Sequence, residues 1–201
     1  PELTALVEAT AGHVMVRLGL LLAMHTGQRQ TDILQAKPDE FGKVPIQLRP
    51  DQDPIEIWVW SFTRSKRGND GVVPLIDPDL VAALEAAQAM ADKGPGTLIW
   101  NVNNGQPFTK ERWFDRWEEV RERAAEAVPS VASLQWRDLR RTFSTLTRAG
   151  GASVDDVGDV IGNTAAKNAL IRGIYMVPQI ETGLRAVSAM QPPAKRKVGG
   201  A

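Results

Sequence analysis

The chain has 201 residues, with 24 basic and 24 acidic side chains and no cysteine. Zero formal charge counts against a protein that coats nucleic acid nonspecifically, and the missing cysteines exclude disulfides and thiolate metal sites. With 43% hydrophobic residues, the chain is not read as disordered; it suffices for one substantial domain with a real core, or at most two small ones.

Residues 3–25 carry Leu3, Leu6, Val7, Val14, Leu18, Leu21 and Leu22 at mixed three- and four-residue spacing, which predicts one helix packed into a core. Its longest apolar run, 18–24, contains Gly19, ends at His25 and is too short to cross a membrane. PELTALVEAT has no signal-peptide pattern, and the start at Pro1 rather than Met suggests a fragment or excised domain. Thr26-Gly27 breaks the helix, and a second begins near Thr31 as its cap. Ile55, Ile57 and Val59 alternate with Glu56, Trp58 and Trp60, which predicts a strand. SKRGND is a turn and GVVPL a second strand, so Lys66 sits near a hairpin tip, and 45–48 can add a third strand. Asp77-Pro78 opens a helix over 79–92. Thr109 caps another, with Trp113, Phe114 and Trp117 on one side. A helix follows over 136–149, and Ser153 and Asp156 have capping-box spacing for a short helix ending at Gly162. Helices near 165–173 and over 179–190 complete a domain spanning 1–190, and the basic tail 191–201 is expected to be disordered. The fold class predicted is mainly α with a small antiparallel β-sheet (α+β).

Acidic residues cluster in 77–85, 118–126 and 155–159, and basic ones in 64–67, 137–141 and 195–197, so a local basic face is compatible with zero net charge. The chain has one tyrosine, Tyr175, and basic residues that can serve it lie far upstream: Arg29, Lys66 and Arg140. A lone phenol served by cations suits attack on a phosphodiester, with arginines holding the phosphate oxygens as negative charge builds. No zinc, magnesium or phosphate-loop pattern accompanies them, so no metal or other cofactor is expected. His13 and His25 read as structural.

Four segments resemble the tyrosine recombinase (phage integrase) family. TGQRQTDIL (26–34) is similar to its first arginine motif, in which Arg29 would fork onto phosphate oxygens; the plain alternative is a helix-start arginine paired with Asp32. RSKRGNDGVVPL (64–75) resembles the family's β-hairpin lysine segment, with Lys66, chosen by its register against GVVPL, as general acid; Arg64 and Arg67 flank it as DNA contacts that could also take its role, and the alternative is ordinary turn chemistry. WRDLRRTFSTLTRAG (136–150) resembles the His-x-x-Arg box: Arg140 matches the second catalytic arginine, Arg141 adds a DNA contact, and Arg137 replaces the histidine. Arginine donates to phosphate but does not shuttle a proton near neutral pH. VDDVGDVIGN (154–163) is similar to the segment that usually ends Leu-Gly-His, with Asn163 in the histidine's place; Gly162-Asn163 also reads as a plain helix C-cap. Tyr175 follows at the spacing of the family's nucleophile, against the alternative of a core or interface aromatic. Trp136 can stack near DNA or pack inside.

The resemblance implies a site-specific recombinase, an integrase that cuts and rejoins DNA strands through a 3′-phosphotyrosine link. It further implies double-stranded DNA as partner, a homotetramer on paired sites, and action in the cytoplasm of a bacterial or phage-infected cell. The family's N-terminal core-binding domain has no counterpart here and is expected to be missing from this chain. Because Arg137 and Asn163 depart from the pattern, a catalytically impaired, recombinase-derived DNA-binding protein is the alternative. A helical protein-interaction domain is the third reading.

Overall fold

The first apolar stretch folds as two helices, α1 (Glu2–Ala9) and α2 (Val14–Thr26), instead of the single helix expected over 3–25. Thr10 ends α1 by turning its hydroxyl back to the Val7 carbonyl at 2.6 Å, and Gly12 takes φ +82° in the link. A side chain at Gly12 would resist that left-handed backbone, so local chemistry overrides the apolar spacing that runs through both helices. In α2 every residue from Met15 to Thr26 except Arg17 is buried, as a helix apolar on all sides must be. It ends at Gly27, with φ +62°.

The structure, a computed structural model, describes residues 1–47, 49, 51–66, 68–162, 183–184 and 187–190. Arg67, Asn163, Tyr175, the helix expected near 165–173 and the tail 191–201 lie outside them. Of the helix expected over 179–190, residues 183–184 and 187–188 are described and helical.

Helix α3 (Gln30–Gln35) starts earlier than expected, with Arg29 rather than Thr31 at the cap position and no side-chain cap bond. Strands β1 (Phe41–Ile46), β2 (Ile55–Thr63) and β3 (Asp70–Leu75) form an antiparallel sheet in that order. The first strand begins four residues before the expected 45–48, because Phe41 pairs with Trp60 and stacks on it at 5.3 Å between ring centroids. The tryptophan side of β2 faces the core: Trp60 is fully buried, Phe62 stacks on it at 4.1 Å, and Trp58 packs at the core's margin. Period-two alternation continues this row to Arg64.

Helix α4 (Pro78–Gln88) is capped by Asp77, whose carboxylate accepts from the Leu80 amide at 2.9 Å. A short hairpin, β4 (Trp100–Asn101) and β5 (Gln106–Pro107), precedes α5 (Lys110–Ala127), which Thr109 caps through the Arg112 amide at 3.2 Å. Trp113, Trp117, Val120 and Ala124 form the buried stripe of α5; Phe114, expected beside them, is 57% exposed because it lies about 100° around the helix from Trp113. Helix α6 (Trp136–Ala149) buries Leu139, Phe143 and Thr147. Trp136 sets its ring edge-to-face against Trp113 and Trp117, at 5.3 and 5.4 Å, which corrects its alternative reading as a DNA-stacking residue. Helix α7 (Val154–Ile161) opens on the expected capping box, with Ser153 Oγ accepting from the Asp156 amide at 3.0 Å, and closes on Gly162 at φ +69°.

Candidate catalytic site

Three segments distant in sequence meet at the end of α2. Gly27 turns the chain so tightly against α6 and α7 that a Cβ there would lie 2.5 Å from Cδ1 of the Phe143 ring and 3.1 Å from Ile161 Cγ2. Arg140 then reaches across from α6 with both guanidinium ends. Its Nη1 donates to the Gly27 carbonyl and its Nη2 to the Ile161 carbonyl, each at 2.6 Å. The fork geometry suits this double bond, which a lysine cannot copy. Arg140 is thereby fixed beside the loop that carries Arg29, two residues beyond Gly27.

Arg29 stands at the start of α3 with its side chain 23% exposed. Its Nη1 lies 3.8 Å from the Asp32 carboxylate, so the plain pairing with Asp32 is present. That distance is an ion pair but not a hydrogen bond, and Arg29 Nη1 is screened from solvent without a hydrogen-bond partner among the described residues. A bound anion would supply the missing acceptor. The other Asp32 oxygen accepts the Ser65 amide at 2.8 Å. Asp32 therefore ties the tip of the β2–β3 hairpin to the Arg29 helix, next to Lys66, which is exposed.

Arg64 is not on the surface, where a DNA contact was expected. It is 2% exposed, with Nη1 donating to the Asp70 carbonyl and Nη2 to the carbonyls of Asp159 and Val160, at 3.1 and 2.9 Å. Strand alternation is the reason: Arg64 falls on the inward row of Trp60 and Phe62. Burial pushes its guanidinium below the ordinary arginine range, the Asp32 carboxylate opposes this, and the Arg29 cation adds to it. The group remains charged, since arginine does not lose its proton in proteins. The amide of the next residue, Ser65, binds Asp32, so Arg64 lies close to the Arg29 helix.

The remaining expected residues divide. Arg137 is exposed near the start of α6, and Arg141 is exposed at 83%, with Asp138 4.0 Å away. Tyr175, Asn163 and Arg67 lie outside the described residues. Gln28 is a site residue that the sequence reading passed over: its Nε2 donates to the Val160 carbonyl at 2.7 Å and to the Thr26 carbonyl at 3.0 Å. Its position inside TGQR was the one signal available. Among the described residues no cluster of three or more His, Asp or Glu side chains is arranged to hold a metal ion.

No protein-family model matches the sequence. No curated protein matches it either. Solved structures do match in shape. XerA recombinase aligns with TM-score 0.61 and 14% identity, over 96% of this chain and 64% of its own. XerH site-specific recombinase bound to difH substrate, in a pre-cleavage complex, aligns with TM-score 0.57 and 17% identity, over 81% of this chain and 45% of its own. The post-cleavage complex of XerH with palindromic difH gives 0.58 and 17%, over 82% and 45%. The chain thus spans between 45% and 64% of the length of these recombinases. With its three-stranded antiparallel sheet set among helices, the chain has a tyrosine-recombinase-like fold, that of their catalytic domains.

Proposed function

We propose that this chain is the strand-cutting domain of a site-specific DNA recombinase that works through a 3′-phosphotyrosine intermediate. The observation that carries the reading is the double bond of Arg140 to Gly27 and Ile161, which brings two arginine motifs together at the end of α2. Arg29 Nη1, screened and lacking a hydrogen-bond partner among the described residues, is the donor that a phosphate would engage.

In this mechanism the Tyr175 phenolate attacks the scissile phosphorus. The new bond joins tyrosine oxygen to phosphorus, and the bond from phosphorus to the 5′ oxygen breaks. The departing electron pair takes a proton from Lys66. Arg29 and Arg140 stabilise the extra negative charge on the nonbridging oxygens, and Arg137 and Asn163 occupy the assisting positions. Phosphodiester energy is retained in the covalent link, so rejoining is the reverse attack by a 5′ hydroxyl and needs no nucleotide. A phenol of ordinary pKa about 10 is made a better nucleophile by the nearby cations. Double-stranded DNA is the partner, recombination takes a tetramer on paired sites, and the cytoplasm is where such a substrate is met.

The test uses a pool of nicked duplexes of random sequence, in which the cut-off fragment diffuses away and traps the adduct. A covalent protein–DNA band that disappears in Tyr175→Phe is the expected result. Salt-dependent duplex binding with no adduct would instead assign the chain to DNA binding without catalysis, the reading favoured by Arg137 in the histidine's place.

A further inference from the structure

The last turn of α7 carries carbonyls that have no amide donor within the helix. Side chains from three other segments collect them. Arg64 takes Asp159 and Val160, Gln28 also takes Val160 at 2.7 Å, and Arg140 takes Ile161 at 2.6 Å. Each makes a further bond: Arg64 to the Asp70 carbonyl across its own hairpin turn, Gln28 to the Thr26 carbonyl within its own loop, and Arg140 to the Gly27 carbonyl of the Arg29 loop. The end of α7 is therefore the point where the hairpin, the Arg29 loop and the box helix are fastened together.

Arg64 is the unusual member. A charged side chain at the base of a hairpin turn normally lies in water, and burial of a guanidinium is unfavourable unless its donors are met. Here it is 2% exposed, packed against Phe62 with 5.5 Å from guanidinium carbon to ring centroid, and seated on Gly162. A Cβ at Gly162 would come within 2.6 Å of Arg64 Nε. A cation at a helix C-terminus is favoured by the helix dipole, and this one meets the helix end directly. The next residue, Ser65, donates its amide to Asp32, and Lys66 follows.

We propose that Arg64 is a positioning residue, which fastens the base of the β2–β3 turn to the end of α7 and thereby sets where Lys66 stands relative to Arg29 and Arg140. It rests on the reading of Lys66 as the general acid. Arg64 acts through Lys66 and does not touch the phosphate.

Two measurements test it. The first needs no activity: amide hydrogen exchange at Ser65, by NMR, in the native chain and in Arg64→Met. Exchange at Ser65 at least about tenfold faster, with Trp60 and Leu21 unchanged, is expected from a freed turn. Unchanged Ser65 exchange overturns the proposal, whether or not the chain cuts DNA. The second compares single-turnover cleavage of a nicked duplex with one whose bridging 5′ oxygen is sulfur. Breaking the phosphorus–sulfur bond releases a thiolate, which needs no proton to leave because a thiol ionises near pH 8.5. Arg64→Met should slow the oxygen substrate on the order of a hundredfold, the low end of what a general acid contributes. The sulfur substrate should be slowed by no more than about threefold, and Lys66→Ala should show the same pattern. Arg64→Lys, which keeps the buried charge but loses the fork, should fall between and serves where Arg64→Met folds poorly. Equal loss on both substrates overturns the positioning role while leaving the strand-cutting reading intact.

Discussion

The Arg140 guanidinium donates to the Gly27 carbonyl at 2.6 Å across 113 residues of sequence, which makes the second arginine motif a structural support for the first. Arg140→Ala removes this bond and the one to Ile161, leaving two carbonyls short of a donor. Hydrogen bonds involving a charged group contribute about 1.5–3 kcal/mol each, and incomplete relaxation makes the pair less than additive. Urea unfolding of Arg140→Ala should show a loss of about 2–4 kcal/mol. Arg140→Lys should recover only part of it. A loss below about 0.5 kcal/mol in Arg140→Ala would mean that Arg140 does not hold the turn.

Gly27→Ala is expected to strain the same turn from the other side. The residue sits at φ +62°, and an added Cβ meets Phe143 and Ile161 at 2.5 and 3.1 Å. The left-handed backbone costs about 1–2 kcal/mol for a residue with a Cβ, and crowding adds about 1–3 kcal/mol. Gly105→Ala is the matched control, since Gly105 has φ +68° with open space around it. Thermal melts should place Gly27→Ala clearly below Gly105→Ala. Equal melting temperatures would remove crowding as a cause.

How far such contacts could be read from sequence depends on their range. Caps are local, so Asp77, Thr109 and the Ser153–Asp156 box were visible as residue types at fixed spacing, and the helices they open start where they were expected, although α4 ends at Gln88 and does not run to 92. The break between α1 and α2 was hidden because apolar spacing continues through a Gly12 link that only backbone geometry reveals. Within the site, the motifs marked Arg29 and Arg140 by type, but nothing in TGQR or the box states that one binds the other's turn. Arg64 went to the surface in the sequence reading because turn arginines usually do; the row Trp58, Trp60, Phe62, continued by two, pointed inward. Asp32 was weighed as a partner for Arg29 alone, and its bond to Ser65 depends on a sheet register that side-chain types do not encode.

His25 predicts a pH dependence of stability. Burial depresses its pKa below the ordinary 6.5, and the attraction of Asp77, whose carboxylate lies 3.7 Å from Nε2, and of Asp79 only partly offsets this. The unfolded chain then takes up a proton near pH 6.5 that the folded chain refuses. The stability contributed by neutral His25 is fully present above that pH and declines as pH falls toward the folded value. The slope approaches about 1.4 kcal/mol per pH unit at most. Urea titrations from pH 7.5 to 5 should show this slope in the native chain and a flatter one in His25→Gln. Identical slopes would assign the acid sensitivity to other groups.

Arg141 provides the contrast that separates a DNA contact from a structural arginine, because it adjoins Arg140 yet turns outward. At 83% exposure, with its ion pair to Asp138 at 4.0 Å, it contributes little to stability, as solvent-exposed pairs generally do. Arg141→Ala should leave urea unfolding within about 0.5 kcal/mol of the native chain. If Arg141 neutralises one phosphate, the same change lowers the slope of log affinity against log salt by about 0.9 on duplex DNA. Fluorescence anisotropy over a salt series measures that slope directly. A native slope retained in Arg141→Ala would put the DNA on another face of α6, whereas the slope of Arg64→Lys should match the native one, because a buried guanidinium releases no counterion from DNA.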